Sequence, residues 1–378
     1  MNNFVSEVKM EYFFLLKTII IISSFTTLLT IIIIFIDSTI GNYGIKKINI
    51  NDKKIIEVEG GKPLLTTLIS NKIFIPSACG GKGSCGLCKV KVLVPDKKQI
   101  LPTEAPWLSK EEIDNGYRLS CQLKVKEDIN IFIPEEFFSI KKFETEVIEI
   151  IDLTYDIKQL TLKILNNEKI EFKAGQFIQL EVPPYELTEQ SVYRAYSISS
   201  DPKFNDKIEL MIRYVKNGIC TTYIHKYLKK GDKLFINGPY GEFYLRDTNS
   251  EIIFIAGGSG MAPIKSIIHH MINNNIQRKA TFVFGARTIK DLFLLDFYLD
   301  IEKKLPNLKF ISVLSEPKVE DNWNGEVGLV TDVVKKVVNQ TENLEAYLCG
   351  SPGMIDACVK LLNSLGLPNE KIFYDKFA

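Results

Sequence analysis

The sequence predicts a multidomain chain of the β and α/β classes. A transmembrane helix precedes a small β domain, an antiparallel β-barrel and a doubly wound parallel α/β domain. Residues 18–36 form one uncharged apolar run. Residues 143–246 alternate apolar and polar residues in short runs broken by Gly and Pro, which is typical of antiparallel barrels. After residue 250 apolar strands alternate with helices, which indicates a parallel sheet.

Composition narrows the class of protein. The 378 residues suffice for two to four domains, and 46% hydrophobic with 25% charged residues is ordinary for a folded chain. Lys and Arg number 47 against 46 Asp and Glu, so no basic excess favours nucleic acid, and we expect no such partner. The seven Cys are odd in number and four of them fall in one short region, unlike the Cys of a secreted disulfide scaffold. The chain has only three His, which argues against a zinc hydrolase.

The first element is a predicted membrane span. The 19 uncharged residues 18–36 would cover about 28 Å as a helix, close to the hydrocarbon thickness of a bilayer. The apolar run extends to residues 12–36 if Lys17 snorkels. The alternative is a buried helix of a soluble fold, although its outer face would then also be apolar. Lys and Arg residues are more frequent after the span than before it, which favours a cytoplasmic C-terminal side.

The second element is a small β domain around a cysteine loop. Residues 45–50 and 54–58 predict two strands around a turn, residues 63–71 a helix and residues 88–94 a strand. Between helix and strand lies a C-x5-C-x2-C pattern, and one more cysteine follows. The four cysteines of this set are Cys79, Cys85, Cys88 and Cys121.

Four thiolates are what a [2Fe–2S] cluster needs. The glycines of the loop permit positive φ angles and bring N–H groups close to the sulfurs. Structural zinc, which usually shows two C-x2-C pairs, and disulfides are the alternatives. Residues 40–137 resemble a plant-type ferredoxin domain, which implies a β-grasp fold and a [2Fe–2S] cluster.

The third element, the barrel, carries a candidate flavin strand. Arg194-Ala195-Tyr196-Ser197 offers a cation for phosphates, an aromatic face for a ring and a hydroxyl for flavin N5. In isolation it also fits a barrel strand with an exposed Arg. The pattern resembles the flavin motif of the ferredoxin–NADP reductase superfamily. That resemblance implies further contacts in two segments, through Gly218, Thr221 and Thr222 at a helix start and through Gly238 of a G-P-x-G-x-F turn. It also implies FAD rather than the mononucleotide.

The last element is a candidate nicotinamide domain. A glycine loop between a strand and a helix presents backbone N–H groups to a pyrophosphate. Its predicted binding residues are Gly257, Gly258, Gly260 and Pro263. Arg287 follows the next strand and would meet a ribose or phosphate, unless it is an ordinary surface Arg. Asp291 and the lack of a larger basic cluster nearby favour NADH over NADPH.

The superfamily resemblance also implies three catalytic residues. Cys349 and Gly350 belong to a segment that resembles C-G-x-P, in which the Cys approaches the hydride-transfer centre. Phe377, close to the C-terminus, would cover the flavin ring and move aside for nicotinamide. Ser197 would hydrogen-bond near N5. The alternatives are a buried small residue for Cys349 and a docked terminus for Phe377.

The order of the segments predicts an electron path. NADH gives two electrons, a [2Fe–2S] cluster takes one at a time, and a flavin mediates between them. The whole chain resembles the family of F subunits of the Na⁺-translocating NADH:quinone oxidoreductase. The resemblance implies an inner-membrane, single-pass protein with cytoplasmic catalytic domains, and quinone or membrane redox subunits of a complex as partners. The domains would be 12–36 (transmembrane helix), 40–137 (ferredoxin-like), 138–247 (FAD) and 248–378 (NAD).

Two other functions fit parts of this pattern. A reductase component that feeds an oxygenase or another electron-accepting protein would share the flavin, nicotinamide and cluster motifs, but that class is usually soluble. A non-catalytic anchored electron carrier or redox sensor would not need intact flavin and nicotinamide motifs.

Overall fold

A computed structural model describes residues 2–40, 43–93 and 100–377, with side chains described outside residues 2–12 and 35–40. The chain forms two compact units. The first comprises Met1–Thr67 and Lys89–Ile133, and the second comprises Leu68–Cys88 and Pro134–Ala378.

The first unit begins with helix α1 (Asn2–Ile40). Its segment Phe13–Ile34 has a mean hydropathy of 2.1, and none of it is buried. Thr18 and Thr27 donate their hydroxyl hydrogen bonds to carbonyls four residues earlier, so these polar groups are satisfied within the helix. The segment is thus long and apolar enough to cross a membrane, and its full exposure argues against a buried core helix.

The first unit also holds a five-stranded mixed sheet in the order β2-β1-β5-β3-β4, in which β1 and β5 are parallel. Its strands and the helices around them are β1 (Ile45–Ile50), β2 (Lys54–Glu59), α2 (Leu64–Ser70), β3 (Lys89–Val92), α3 (Lys110–Asp114), β4 (Tyr117–Leu119) and β5 (Ile129–Phe132). The predicted strand 88–94 is shorter in the structure, where β3 begins at Lys89 and ends at Val92; Leu93 lies outside the strand, and Val94 lies outside the described residues.

The second unit contains a six-stranded antiparallel sheet in the order β10-β7-β6-β11-β8-β9. A β-bridge between Ile198 and Leu210 joins the two ends of that order, so the sheet closes into the predicted barrel. Its elements are β6 (Lys141–Asp152), β7 (Ile157–Ile164), β8 (Phe177–Val182), β9 (Val192–Ser197), β10 (Lys207–Arg213), α4 (Ile219–Lys226) and β11 (Lys233–Tyr240).

The rest of the second unit is a six-stranded parallel sheet in the order β15-β14-β13-β12-β16-β17. Its elements are β12 (Glu251–Gly257), α5 (Met261–Asn273), β13 (Ala280–Ala286), α6 (Leu295–Lys304), β14 (Leu308–Leu314), β15 (Glu326–Val327), α7 (Val330–Val337), β16 (Leu344–Gly350), α8 (Pro352–Ser364) and β17 (Ile372–Lys376).

Both faces of the parallel sheet are covered. Along β12, Phe254 packs into one apolar cluster with α5 and α6, whereas Ile253 and Ile255 pack into another with α7 and α8. Burial on two faces explains why these strands read as continuous apolar runs. The structure thus confirms the predicted doubly wound fold.

Candidate active site

One cavity of about 920 Å³ opens in the second unit between the barrel and the parallel sheet. Twelve of the predicted site residues line it, and they come from the cysteine loop, the flavin strand, the start of α4 and the ends of parallel strands. These are Cys79, Arg194, Ala195, Tyr196, Ser197, Gly218, Thr221, Gly257, Gly258, Arg287, Gly350 and Phe377.

The cavity wall does not include Thr222, Gly238, Gly260, Pro263 or Cys349. Gly260 instead lets the glycine loop lie close against β16. A Cβ at this position would lie 2.1 Å from the carbonyl oxygen of Cys349, so a larger residue would push the two apart. Pro263 is buried in the first turn of α5, where its missing N–H leaves no intrahelical hydrogen bond unmade. Their assignment as binding or catalytic residues stays a prediction.

Strand β9 brings the R-x-Y-S residues to the cavity. Arg194 donates a 2.7 Å hydrogen bond from Nη1 to the carbonyl of Tyr193, which holds its guanidinium beside the strand. Burial raises the pKa of Tyr196, so its hydroxyl stays protonated at neutral pH. Ser197 is buried at the end of the strand, opposite Phe177 of β8.

The start of α4 presents polar groups that fit a phosphate. Gly218 caps this helix without a side chain, so its first N–H groups lie open toward the cavity wall formed by Gly218 and Thr221. The hydroxyl of Thr222 is buried and has no hydrogen-bond partner among the described residues. That hydroxyl lies behind the cavity wall, so the donors that the wall offers are the N–H groups at the start of α4. These N–H groups and the Arg194 cation fit the phosphates of a flavin dinucleotide.

The glycine loop after β12 faces a second arginine. Gly258 has a φ of +56°, and a Cβ there would lie 3.6 Å from Nη1 of Arg213. Arg213 also pairs with Asp156, at 2.7 Å from Nε to Oδ2. A glycine loop, a helix start and a guanidinium are groups that can bind an anion together. No motif singles out Arg213, because it ends an ordinary barrel strand, and only the fold brings it to the loop.

The chain terminus contributes a carboxylate to the same wall. Ser197 Oγ lies 3.5 Å from Asp375 Oδ2, at hydrogen-bonding distance. Burial raises the pKa of Asp375 to about 6, and the hydrogen bond from Ser197 opposes this. Asp375 pairs in register with Cys349 across β16 and β17. Burial, and then the charge of Asp375, raise the pKa of the Cys349 thiol, so it is a neutral buried group.

Phe377 continues from β17 into the cavity wall, and its N–H donates a 2.9 Å hydrogen bond to the carbonyl of Gly350. It also packs against the core around α5 and α6. The structure therefore gives Phe377 both features that the sequence left open, a docked backbone and a ring at the cavity.

Arg287 and Asp291 lie farther out on this wall. The exposed Arg287 guanidinium is 3.5 Å from Glu316. Asp291 accepts hydrogen bonds from Thr288, at 2.8 Å, and from the hydroxyl of Tyr155, at 3.0 Å. Arg287 thus has its own surface ion pair beside the cavity, and Asp291 is held at two points.

The cysteine loop packs directly on the flavin strand. The side chain of Gln179 in β8 donates a 3.0 Å hydrogen bond to the carbonyl of Ile75. A Cβ at Gly80 would fall 1.8 Å from Nη1 of Arg194, so only glycine permits this approach. Phe74 joins Phe177 and Tyr240 in an apolar cluster beneath the loop.

Within this loop, backbone N–H groups reach the sulfurs, as the glycine pattern predicts. Cys79 and Cys85 hydrogen-bond to each other, which lowers the pKa of Cys79 and raises that of Cys85. The backbone of Ser84 also lowers the pKa of Cys79, and that of Leu87 lowers the pKa of Cys85. Such donors fit sulfur atoms that carry negative charge in a cluster.

Cys121 belongs to the first unit, just after β4, and is buried. None of the seven cysteines, all within the described residues, forms a disulfide. Among the described residues no group of three or more His, Cys, Asp or Glu side chains is arranged to hold a metal ion. The four cluster ligands therefore stay a prediction from their spacing and from the backbone donors of the loop.

Three family models match the chain in the predicted order. The 2Fe-2S iron-sulfur cluster binding domain matches residues 48–126, the oxidoreductase FAD-binding domain residues 144–244 and the oxidoreductase NAD-binding domain residues 254–360. These matches confirm the predicted cofactors FAD, [2Fe–2S] and NAD.

Curated relatives match almost end to end. The F subunit of the Na(+)-translocating NADH-quinone reductase of Neisseria gonorrhoeae is 37% identical, over 91% of this chain and 95% of that protein. The protein of the same name in Serratia proteamaculans is 36% identical, over 91% and 95%. Among solved structures, the Amycolatopsis cytochrome P450 reductase has a TM-score of 0.71 and 25% identity, covering 88% of this chain and 98% of that one.

Proposed function

This chain belongs to the family of F subunits of Na⁺-translocating NADH-quinone reductases, and we propose that it is the NADH-oxidising, membrane-anchored component of such a complex. It is a flavin- and [2Fe–2S]-dependent oxidoreductase in which electrons pass from NADH to FAD and then to the cluster. The observation that carries the proposal is that the R-x-Y-S strand, the glycine loop and the last described residues all line one and the same cavity.

FAD, when bound, supplies the conversion of two-electron to one-electron transfer. Arg194 and the start of α4, at Gly218 and Thr221, hold its phosphates. The glycine loop at Gly258, with Arg213 opposite, binds the pyrophosphate of NADH. These residues bind and orient, so their main contribution is to bring the reacting partners together.

Ser197 and Asp375 act at the reacting end of the cavity. The Ser197 hydroxyl, 3.5 Å from Asp375 Oδ2, donates its single hydrogen either to that carboxylate or to a ring nitrogen. Burial raises the pKa of Asp375 to about 6, so its carboxyl gains or loses a proton around that pH. Phe377 excludes water from this end until nicotinamide replaces it. Cys349 packs beneath Asp375 as a neutral thiol.

Cys79, Cys85, Cys88 and Cys121 ligate the [2Fe–2S] cluster in this proposal. The family match over residues 48–126 and the backbone donors toward Cys79 and Cys85 support it. The domains run over residues 12–36, 40–137, 138–247 and 248–378, and the three family matches fall inside the last three ranges.

The helix α1 anchors the chain in the cell's inner membrane as a single span. Lys46, Lys47, Lys53 and Lys54 follow the span, which supports a cytoplasmic position for the catalytic domains. The electrons leave to quinone or to membrane redox subunits of the complex. The names of the curated relatives support these partners.

The test is NADH oxidation by the full-length chain in detergent, with FAD and cluster loaded and ferricyanide as acceptor. We expect turnover with NADH. The kcat/KM with NADPH should be lower, because the Asp291 carboxylate repels a 2′-phosphate. The variant Arg194→Ala should lose its bound flavin. A chain that holds both groups and fails to oxidise NADH would disprove the proposal. Lys72→Ala serves as the control, because Lys72 lies outside the cavity wall. It should keep both its bound flavin and its turnover with NADH.

A further inference from the structure

A side-chain amide lies against the fourth cysteine of the predicted ligand set. Nε2 of Gln122 is 3.4 Å from Sγ of Cys121. Oε1 of the same amide accepts a 2.9 Å hydrogen bond from the hydroxyl of Thr103. An ionised or metal-bound sulfur accepts hydrogen bonds and does not donate them, so it selects the NH₂ end of the amide. The sulfur and the hydroxyl therefore favour the same orientation of Gln122.

The backbone around this amide is tightly held. The N–H groups of Gln122 and Leu123 both donate to the carbonyl of Leu119, at 2.9 and 3.1 Å, and close a turn around Cys121. Glu104, next to Thr103 in the chain, is fully buried and accepts a 2.9 Å hydrogen bond from the N–H of Leu119. The Glu104 carboxylate thus holds the chain segment of Thr103 next to the segment of Gln122. The amide of Gln122 is therefore in place before any ligand binds.

We propose that Gln122, positioned by Thr103, donates a hydrogen bond to the Cys121 thiolate in the cluster-bound protein and thereby raises the reduction potential of the cluster. The inference rests on the proposed role of Cys121 as a ligand. Reduction adds one electron, supplied by NADH through the flavin, and increases the negative charge on the sulfurs. A donor to sulfur stabilises that reduced form more than the oxidised form.

The experiment is a reductive titration of the full-length holoprotein, in which the electron paramagnetic resonance signal of the reduced cluster gives its potential. In Gln122→Leu, which keeps the size and removes the donor, we expect the equilibrium constant for reduction to fall up to ten-fold. Ten-fold corresponds to about 59 mV for one electron. Thr103→Val, which only frees the amide, should lower the potential by less.

Two further variants make the result specific. Gln122→Glu replaces the donor by an acceptor with negative charge and should lower the potential more than Gln122→Leu does. Gln340→Leu makes the same chemical change at an exposed position of the second unit. It should leave the reduction potential of the cluster unchanged. A merely structural role for Gln122 would alter cluster occupancy and leave the potential of the loaded fraction as it was.

An unchanged potential in Gln122→Leu with full cluster occupancy would overturn the inference and leave the proposed function intact. If Gln122→Leu loses its cluster, Thr103→Val decides: a lowered potential supports the inference and an unchanged one overturns it. Retention of the cluster in Cys121→Ala would contradict the ligand assignment itself, which is a separate result.

Discussion

At the scale of single residues, Ser197 and Asp375 show how the site depends on groups far apart in the chain. Ser197 ends a barrel strand and Asp375 lies in the last strand of the parallel sheet, yet their oxygens are 3.5 Å apart. Burial without a cationic partner explains the raised pKa of Asp375. A carboxyl of this kind changes protonation near pH 6 rather than near pH 4.

Asp375→Asn should change how stability depends on pH. The pKa of the carboxyl is about 6 in the folded chain and about 3.9 in an unfolded one, so the unfolded state loses its proton first as pH rises. The wild type should therefore lose stability relative to Asp375→Asn between about pH 4 and pH 6, with no further loss above. Midpoints of thermal unfolding across this range measure the difference. A constant difference from pH 4 to pH 7 would contradict the raised pKa.

Cys85→Ala separates the two redox groups. Removal of one of four thiolates should abolish cluster binding, whereas flavin reduction by NADH should continue, since the nucleotide-binding residues are untouched. Visible absorbance and iron content report the cluster, and anaerobic bleaching by NADH reports the flavin. Cys358→Ala, which alters a buried cysteine of α8, should keep both. A cluster retained in Cys85→Ala would exclude Cys85 as a ligand.

At the scale of elements, a buried ion pair fixes the strand that leads to Cys121. Arg118 in β4 donates to Glu104 at 2.6 Å from Nη2 to Oε2, and Glu104 is fully buried. Burial alone would raise the pKa of Glu104, but hydrogen bonds from Arg118 and from the N–H groups of Leu119 and Leu101 hold it below its usual range. The carboxylate therefore stays ionised in the folded chain.

Glu104→Ala should destabilise the first unit by about 3–5 kcal/mol, because Arg118 keeps a buried charge without a partner. Reversible urea unfolding of the cluster-free chain, followed by circular dichroism, measures this. The wild-type advantage should be complete above about pH 5 and decline as pH falls, since the unfolded Glu takes up its proton first. Glu57→Ala, at an exposed pair with Lys47, should cost no more than about 0.5 kcal/mol. Equal effects of the two variants would contradict the structural role of Glu104.

Local patterns predict many elements of this chain closely. Strand β1 has the predicted bounds because its alternation and the Asn51-Asp52 turn are strong local signals. Strand β17 and helix α6 carry weaker signals, since β17 is half-exposed and α6 has few buried residues. The contacts of Arg213 with the glycine loop and of Asp375 with Ser197 depend on how the barrel meets the parallel sheet, which local patterns do not contain.

At the scale of the whole molecule, the barrel and the parallel sheet of the second unit are held together by buried polar contacts. Lys265 of α5 pairs with Glu209 of β10 at 2.7 Å, and Ser266 donates a 2.8 Å hydrogen bond to the carbonyl of Ser200. These contacts fix α5, and with it the glycine loop, against the barrel. The cavity between them, which is the proposed site for flavin and nicotinamide, is therefore bounded by elements whose relative position is fixed.

The central claim is that one polypeptide takes electrons from NADH into a flavin and passes them singly to a [2Fe–2S] cluster. Anaerobic addition of NADH to the full-length holoprotein tests it most directly, with flavin absorbance and the cluster's electron paramagnetic resonance signal recorded together. The account predicts that the flavin bleaches and that the reduced-cluster signal appears without any added carrier. A bleached flavin beside a cluster that stays oxidised, in protein that dithionite can fully reduce, would contradict it.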